Sequence, residues 1–236
     1  MDAVFILGMH RSGTSCLASC LEACGLYLGA VNRRAGAADN PYGTFEPLEV
    51  NEINERILGS WIRPRLPPRP KTREIDEIDA CVAQLEERAR RAGETRIGLK
   101  DPRMLLLLPL WRDRFDRVEY VASYRSAEAV HRSIKARGEL RTWRRANLRA
   151  WRLYNQALVD LCARETVALI SFELEATAYR ERLNALCGHL DLTYDDDAVR
   201  TRFDPSVRRQ PTTPSRKPEI AALESELERL ARGAVS

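Results

Sequence analysis

The sequence predicts an α/β domain: a mostly parallel sheet flanked by helices on both faces, with a phosphate-type loop (a P-loop) after its first strand. Three observations carry this. Short apolar runs alternate along the chain with longer segments whose apolar residues recur at helical spacing. That alternation of strand and helix is the pattern of parallel pairing with helical crossovers. The first run, Val4-Phe5-Ile6-Leu7, enters a loop bounded by Gly8 and Gly13, and a helix with Leu17, Leu21 and Cys24 on one stripe follows at once. Such a loop aims several backbone N–H groups at one point beside a helix N-terminus, so it is built to hold an anion.

The elements follow in order. Strand one covers Ala3 to Leu7 and the first helix Thr14 to Cys24. Gly25 to Gly43 is rich in Gly, Asn and Pro and reads as a surface loop. Leu48 to Leu58 is helical. Trp61 to Arg73 holds four prolines and five cationic residues, which excludes a regular helix and suggests an excursion or lid. Ile75 to Arg91 is a charged helix with Ile75, Ile78, Val82 and Leu85 on one face. Arg96 to Leu99 is a short strand ending in Lys100-Asp101-Pro102-Arg103, and Met104 to Phe115 reads as an apolar helix. Val118 to Ser123 is a buried strand ending at Tyr124-Arg125. Helices are expected over Ala127 to Ala136 and Leu140 to Ala163, a strand over Val167 to Phe172, and a helix over Tyr179 to His189. After Asp204 the chain is polar and Pro-rich until a terminal helix, Ile220 to Leu230. The organisation expected is one domain over 1–210 and a polar tail with its helix over 211–236.

Bulk properties narrow the class. A length of 236 residues suits one large α/β domain with a sizeable core. Net charge is +4, which favours an anionic ligand without arguing for nucleic acid. Only Lys71, Lys100, Lys135 and Lys217 are lysines among the cations. Six scattered cysteines form no Cys-x-x-Cys pair, and Cys16, Cys20 and Cys24 read as small side chains on one helix face rather than metal ligands. Without a charged leader or an apolar run of membrane-spanning length, the expectation is a cytoplasmic protein with no membrane span. Oligomeric state is not readable from the sequence.

In open parallel sheets, ligands sit outside the carboxyl ends of the strands. That directs attention to Gly8–Ser15, Lys100–Arg103, Arg125–Ser133 and Glu173. The position after Gly13, Lys in a nucleotide-triphosphate loop, is Thr14, and the cation stands at Arg11 instead. Ser133 and Arg137 lie one helical turn apart, with Arg125 just before that helix, so the three form a second anion site separate from the first. Two such sites suit a nucleotide charged at both ends of its ribose. A P-loop small-molecule kinase or NTPase, and a non-catalytic nucleotide-binding protein, are the rival readings.

These residues resemble the sulfotransferase superfamily that uses 3′-phosphoadenosine 5′-phosphosulfate (PAPS). Arg11-Ser12-Gly13-Thr14-Ser15 resembles its 5′-phosphosulfate loop, and Arg125, Ser133 and Arg137 its 3′-phosphate element in type and spacing. Lys100-Asp101-Pro102 is similar to the Lys-Asp-Pro segment of Golgi-type and bacterial members, including tyrosylprotein sulfotransferases. Gly43-Thr44-Phe45-Glu46 resembles a Gly-x-aromatic-Glu segment of bacterial members, and Phe203 to Arg209 a segment that closes over the nucleotide. The resemblance spans residues 3 to 210. It implies in-line transfer of a sulfuryl group from PAPS to a hydroxyl or amine, without a metal, leaving adenosine 3′,5′-bisphosphate. It implies that Ser12, Gly13, Thr14 and Ser15 bind the 5′-phosphate, and that Arg11 and Lys100 neutralise charge around the scissile bond. It further implies that Arg125, Ser133, Arg137, Arg208 and Arg209 hold the nucleotide. The base that serves cytosolic members is a His whose counterpart here is Pro102. Glu46 is the candidate base in its place, Glu49 the second choice, and a simple first-turn carboxylate the duller reading of Glu46. The implied partner is a small-molecule, glycan or natural-product acceptor.

Overall fold

The computed structural model describes residues 1–33, 43–136, 144–203, 215 and 217–233. Four strands, β1 (Asp2–Leu7), β2 (Arg96–Lys100), β3 (Val118–Tyr124) and β4 (Val167–Ser171), form one all-parallel sheet in the order β2-β1-β3-β4. The helices are α1 (Thr14–Ala23), α2 (Leu48–Leu58), α3 (Thr72–Arg91), α4 (Leu108–Trp111), α5 (Ala127–Ala136), α6 (Arg144–Cys162), α7 (Ala176–His189), α8 (Asp196–Arg202) and α9 (Pro218–Gly233).

Side chains alternate across a strand, and here both faces are apolar because both are covered. Ala3, Phe5 and Leu7 of β1 join Tyr120, Ala122, Val167 and Leu169 in a core roofed by α2, α3, α5, α6 and α9. Val4 and Ile6 join Val121, Ala168 and Ile170 in a second core under α1, α7 and α8. Phe5 meets Phe115 and Tyr120 edge-on at 5.6 and 6.1 Å between ring centroids. A fully buried side chain of this kind contributes about 1.5–3 kcal/mol.

Three sequence expectations change in detail. The Met104–Phe115 helix is broken into 3-10 turns at Pro102–Leu106 and Arg112–Arg114 around the single turn of α4. Pro109, at the start of α4, has no N–H to continue a preceding helix. Thr72 and Arg73 belong to α3 rather than to the Pro-rich excursion. Helix α8 was not expected; the Asp195 side chain caps it, accepting from the Ala198 amide at 2.9 Å.

Helix α9 is packed on the domain. Ile220, Leu223 and Leu227 enter the core, and buried Glu224 accepts from the amides of Ala127 (2.9 Å) and Ser215 (3.2 Å). Glu173 accepts from the Ser126 amide (3.2 Å) and hydroxyl (2.7 Å). Two carboxylates therefore brace the N-terminus of α5, where the helix dipole favours negative charge. They fix the turn that carries Arg125.

Candidate functional site

The chain places β2 on one side of β1 and then β3 on the other, so the strand order reverses between β1 and β3. A crevice opens at such a reversal, outside the carboxyl ends. The loop after β1 is drawn tightly into it. Gly8 has φ 138°, and a Cβ there would lie 2.2 Å from the Ser123 carbonyl oxygen. Gly13 has φ 89°, and a Cβ there would lie 2.3 Å from the Phe172 ring. The Ser123 hydroxyl donates to the Ser12 carbonyl at 2.6 Å, tying the loop to β3. Arg11 takes a left-handed φ of 71°, a conformation that costs a non-glycine residue on the order of 1–2 kcal/mol. The Ser12 hydroxyl is buried without a hydrogen-bond partner among the described residues.

Residues of the two expected anion sites are in contact. Arg11 Nε donates to Ser133 Oγ at 2.9 Å, linking the loop to α5. Arg125 is buried, with its guanidinium 5.5 Å from the Phe172 ring centroid and its carbonyl held by the Trp151 indole N–H at 2.9 Å. Phe172 thus touches both the Gly13 turn and Arg125. Arg137, Arg208 and Arg209 lie outside the described residues.

Lys100 and Glu46 meet on the other flank of the loop. Lys100 Nζ donates to Glu46 Oε1 at 2.6 Å and to Ser15 Oγ at 3.3 Å. Glu46 Oε2 accepts from Asn51 Nδ2 at 2.7 Å. Backbone bonds in both directions between Asn32 and the 45–46 segment, 3.0 Å each, hold Glu46 in place, and Phe45 beside it has φ 57°. Lys100 is 3% exposed and Glu46 15%, so this pair is far better shielded than a surface bridge. Glu49 points elsewhere and pairs with Arg88 at 3.0 Å. Lys100 and Asp101 are both buried, so neither is a surface charge.

Asp101 leads away from Lys100 into a second polar chain. Its Oδ1 accepts from the Arg103 amide at 2.7 Å and its Oδ2 from Asn54 Nδ2 at 3.2 Å, while Asn54 Oδ1 accepts from the Trp111 indole at 2.8 Å. Burial first, and the charge of Glu46 second, push the Asp101 carboxyl up to about 6. A carboxyl whose folded value lies above its ordinary 3.8 stabilises the fold while protonated. That contribution is lost as pH rises through about 4 to 6, on the order of 2–3 kcal/mol. Urea unfolding of the protein and of Asp101→Asn should therefore diverge with pH. The wild type is expected to lose stability relative to the variant between about pH 4 and pH 7. A difference that stays flat over this range contradicts the assignment.

Sequence reasoning did not single out Asn51, Asn54, Ser123 or Phe172. Phe172 carried a visible signal, since it closes the expected 167–172 strand and directly follows β4 at the carboxyl edge of the sheet. The two asparagines are one helical turn apart on α2, among other polar residues that gave neither of them a distinguishing signal. His10 stacks on Trp61 at 4.6 Å, and His131 lies 3.0 Å from the Asn147 side chain. Among the described residues, no group of His, Cys, Asp and Glu is arranged to hold a metal ion. No helix there is long and apolar enough to cross a membrane.

No family model matches the chain, and no curated protein matches it. Solved structures do. The sulfotransferase domain of the Synechococcus PCC 7002 olefin synthase is 18% identical, with 99% of this chain and 94% of that one covered at a TM-score of 0.59. The sulfotransferase domain from the curacin biosynthetic pathway is 15% identical, with 95% and 96% covered at a TM-score of 0.62. The chain has the α/β fold of these sulfotransferase domains over nearly its whole length.

Proposed function

We propose that the chain is a PAPS-dependent sulfotransferase. The observation that carries the reading is the convergence at the β1–β3 reversal, where Arg11, Ser133 and Arg125 gather on one side of the loop and Lys100 with Glu46 on the other. The fit is also chemical. The loop offers backbone N–H groups and the unpartnered Ser12 hydroxyl to a 5′-phosphate, and the buried Arg125 offers a guanidinium to a 3′-phosphate.

The donor supplies a sulfuryl group activated on a phosphate oxygen. Catalysis then consists of positioning and of stabilising charge as the S–O bond to that oxygen breaks. Lys100 and Arg11 flank the loop where that charge develops. Glu46 takes the proton of the acceptor hydroxyl as the new O–S bond forms. Each of its oxygens already accepts one hydrogen bond, and each retains a lone pair for the acceptor. Lys100 bridges Glu46 and Ser15, which places the base next to the 5′ loop. The acceptor is a small molecule bearing a hydroxyl or amine, and the protein works in the cytoplasm.

Calorimetry with adenosine 3′,5′-bisphosphate tests this directly. The nucleotide is expected to bind, and adenosine 5′-monophosphate, lacking the 3′-phosphate, to bind at least about tenfold more weakly. Arg125→Ala should remove most of that difference, since a charge-assisted contact contributes about 1.5–3 kcal/mol. Equal affinity for the two nucleotides would remove the basis for the second anion site.

A further inference from the structure

Arginine is abundant in this chain, and many of its guanidinium groups already face a carboxylate; Arg88 with Glu49, Arg96 with Glu119 and Arg114 with Asp79 are examples. One cavity departs from that habit. It measures about 1110 Å³ and lies between the 62–66 segment, one stripe of α6 and the first turns of α9. Arg63, Arg145, Arg149 and Arg152 line it, against Glu219 as the one carboxylate among its described lining residues. None of these four arginines has an ion pair or side-chain hydrogen bond among the described residues. Positions 145, 149 and 152 share one face of α6, so three guanidinium groups project from a single stripe and a fourth faces them from the loop.

Like charges crowded on a concave surface repel one another and focus a positive field into it. The arrangement gains free energy only when an anion enters. Its lining is also apolar: Ile62, Leu66, Leu153 and Leu223 contribute, and Leu66, at 42%, is one of two exposed large hydrophobic residues among those described. A lining that is both cationic and apolar, in a concavity of small-molecule size, selects an amphipathic organic anion. A flat acidic protein surface would not fill a concavity of this volume.

The cavity is linked to the 8–13 loop through the chain neighbours of two of its lining residues, Ile62 and Leu153. Trp61, the residue before Ile62, stacks on His10 of that loop at 4.6 Å. Tyr154, from the neighbouring face of α6, meets the same His10 edge-on at 6.3 Å. The geometry points to this cavity as the acceptor's docking site, and to the acceptor as a molecule with an apolar body and a carboxylate, phosphate or sulfate group. The word acceptor rests on the sulfotransferase reading; the anion site itself does not.

The test uses the full chain and dodecanoate as probe, with dodecyltrimethylammonium as a probe of equal tail and opposite charge. Dodecanoate is expected to bind in calorimetry and the cation not to. Arg145→Glu with Arg149→Glu should weaken dodecanoate at least about tenfold, as expected for two lost charged contacts, and leave adenosine 3′,5′-bisphosphate affinity unchanged. Arg149→Gln with Arg152→Gln, neutral and surface-exposed, gives the same comparison if charge reversal disturbs folding. Absent dodecanoate binding, equal binding by wild type and variants, or equal binding of both probes overturns the site. So does polyglutamate displacing dodecanoate at lower concentration, which assigns the surface to an acidic protein. Dodecanoate binding without nucleotide binding sinks the enzymatic reading and leaves the anion cavity standing.

Discussion

Lys100→Ala is expected to lower sulfuryl transfer by about 10²–10³ while leaving adenosine 3′,5′-bisphosphate bound, the loss seen when one preorganised charge donor is removed. Glu46→Gln keeps the shape and the Asn51 contact but removes the proton acceptor, with an expected loss of about 10²–10⁴. The two side chains touch at 2.6 Å, so their effects are coupled, and the double variant should lose less than the product of the single losses. Transfer of a labelled sulfuryl group from the donor to a panel of hydroxylated acceptors reads turnover, and nucleotide calorimetry reads the binding site. Lys100 is buried, so Lys100→Met, which keeps most of the stem, separates loss of charge from loss of packing. If both single variants keep more than about a third of wild-type turnover, the pair has no catalytic part and is a structural bridge.

Gly8→Ala is expected to be the most damaging single methyl in the chain. The new Cβ would stand 2.2 Å from the Ser123 carbonyl oxygen, a backbone atom of the neighbouring strand that cannot swing aside. The φ of 138° adds strain for any L side chain. Relief requires the loop to pull away from β3, which breaks the bond from the Ser123 hydroxyl to the Ser12 carbonyl and opens the anion cradle. A destabilisation of about 3 kcal/mol or more is expected, with loss of nucleotide binding at temperatures where the variant is still folded. Gly188→Ala in α7 is the control. Nothing lies within 4 Å of its added methyl, and alanine is the better helix former, so it should be neutral or stabilising by up to about 1 kcal/mol. Wild-type nucleotide affinity in Gly8→Ala would contradict the role given to the loop.

Residues close in sequence were the legible ones. Alternating apolar runs marked β1 and β3, and helical periodicity marked α1 and α3, because those patterns are local consequences of backbone geometry. Gly8 and Gly13 marked the loop for the same reason. Glycine stands where no other residue can follow the backbone. Helix α8 escaped notice because its seven residues carry only Val199 into the core. The break in the 104–115 segment was overridden by its apolar composition, although Pro109 was in plain view.

What the sequence determined by itself was the sheet-and-helix layering and the glycine-bounded turn between β1 and α1. Those are encoded by neighbours along the chain. Only the tertiary structure decided that Arg11 reaches Ser133, that Lys100 chooses Glu46 over Asp101, and that four arginines share one cavity. The Arg11–Ser133 contact spans 122 positions and the Lys100–Glu46 contact 54. Nothing local specifies such pairs; they arise because parallel strands deliver distant loops to the same edge of the sheet.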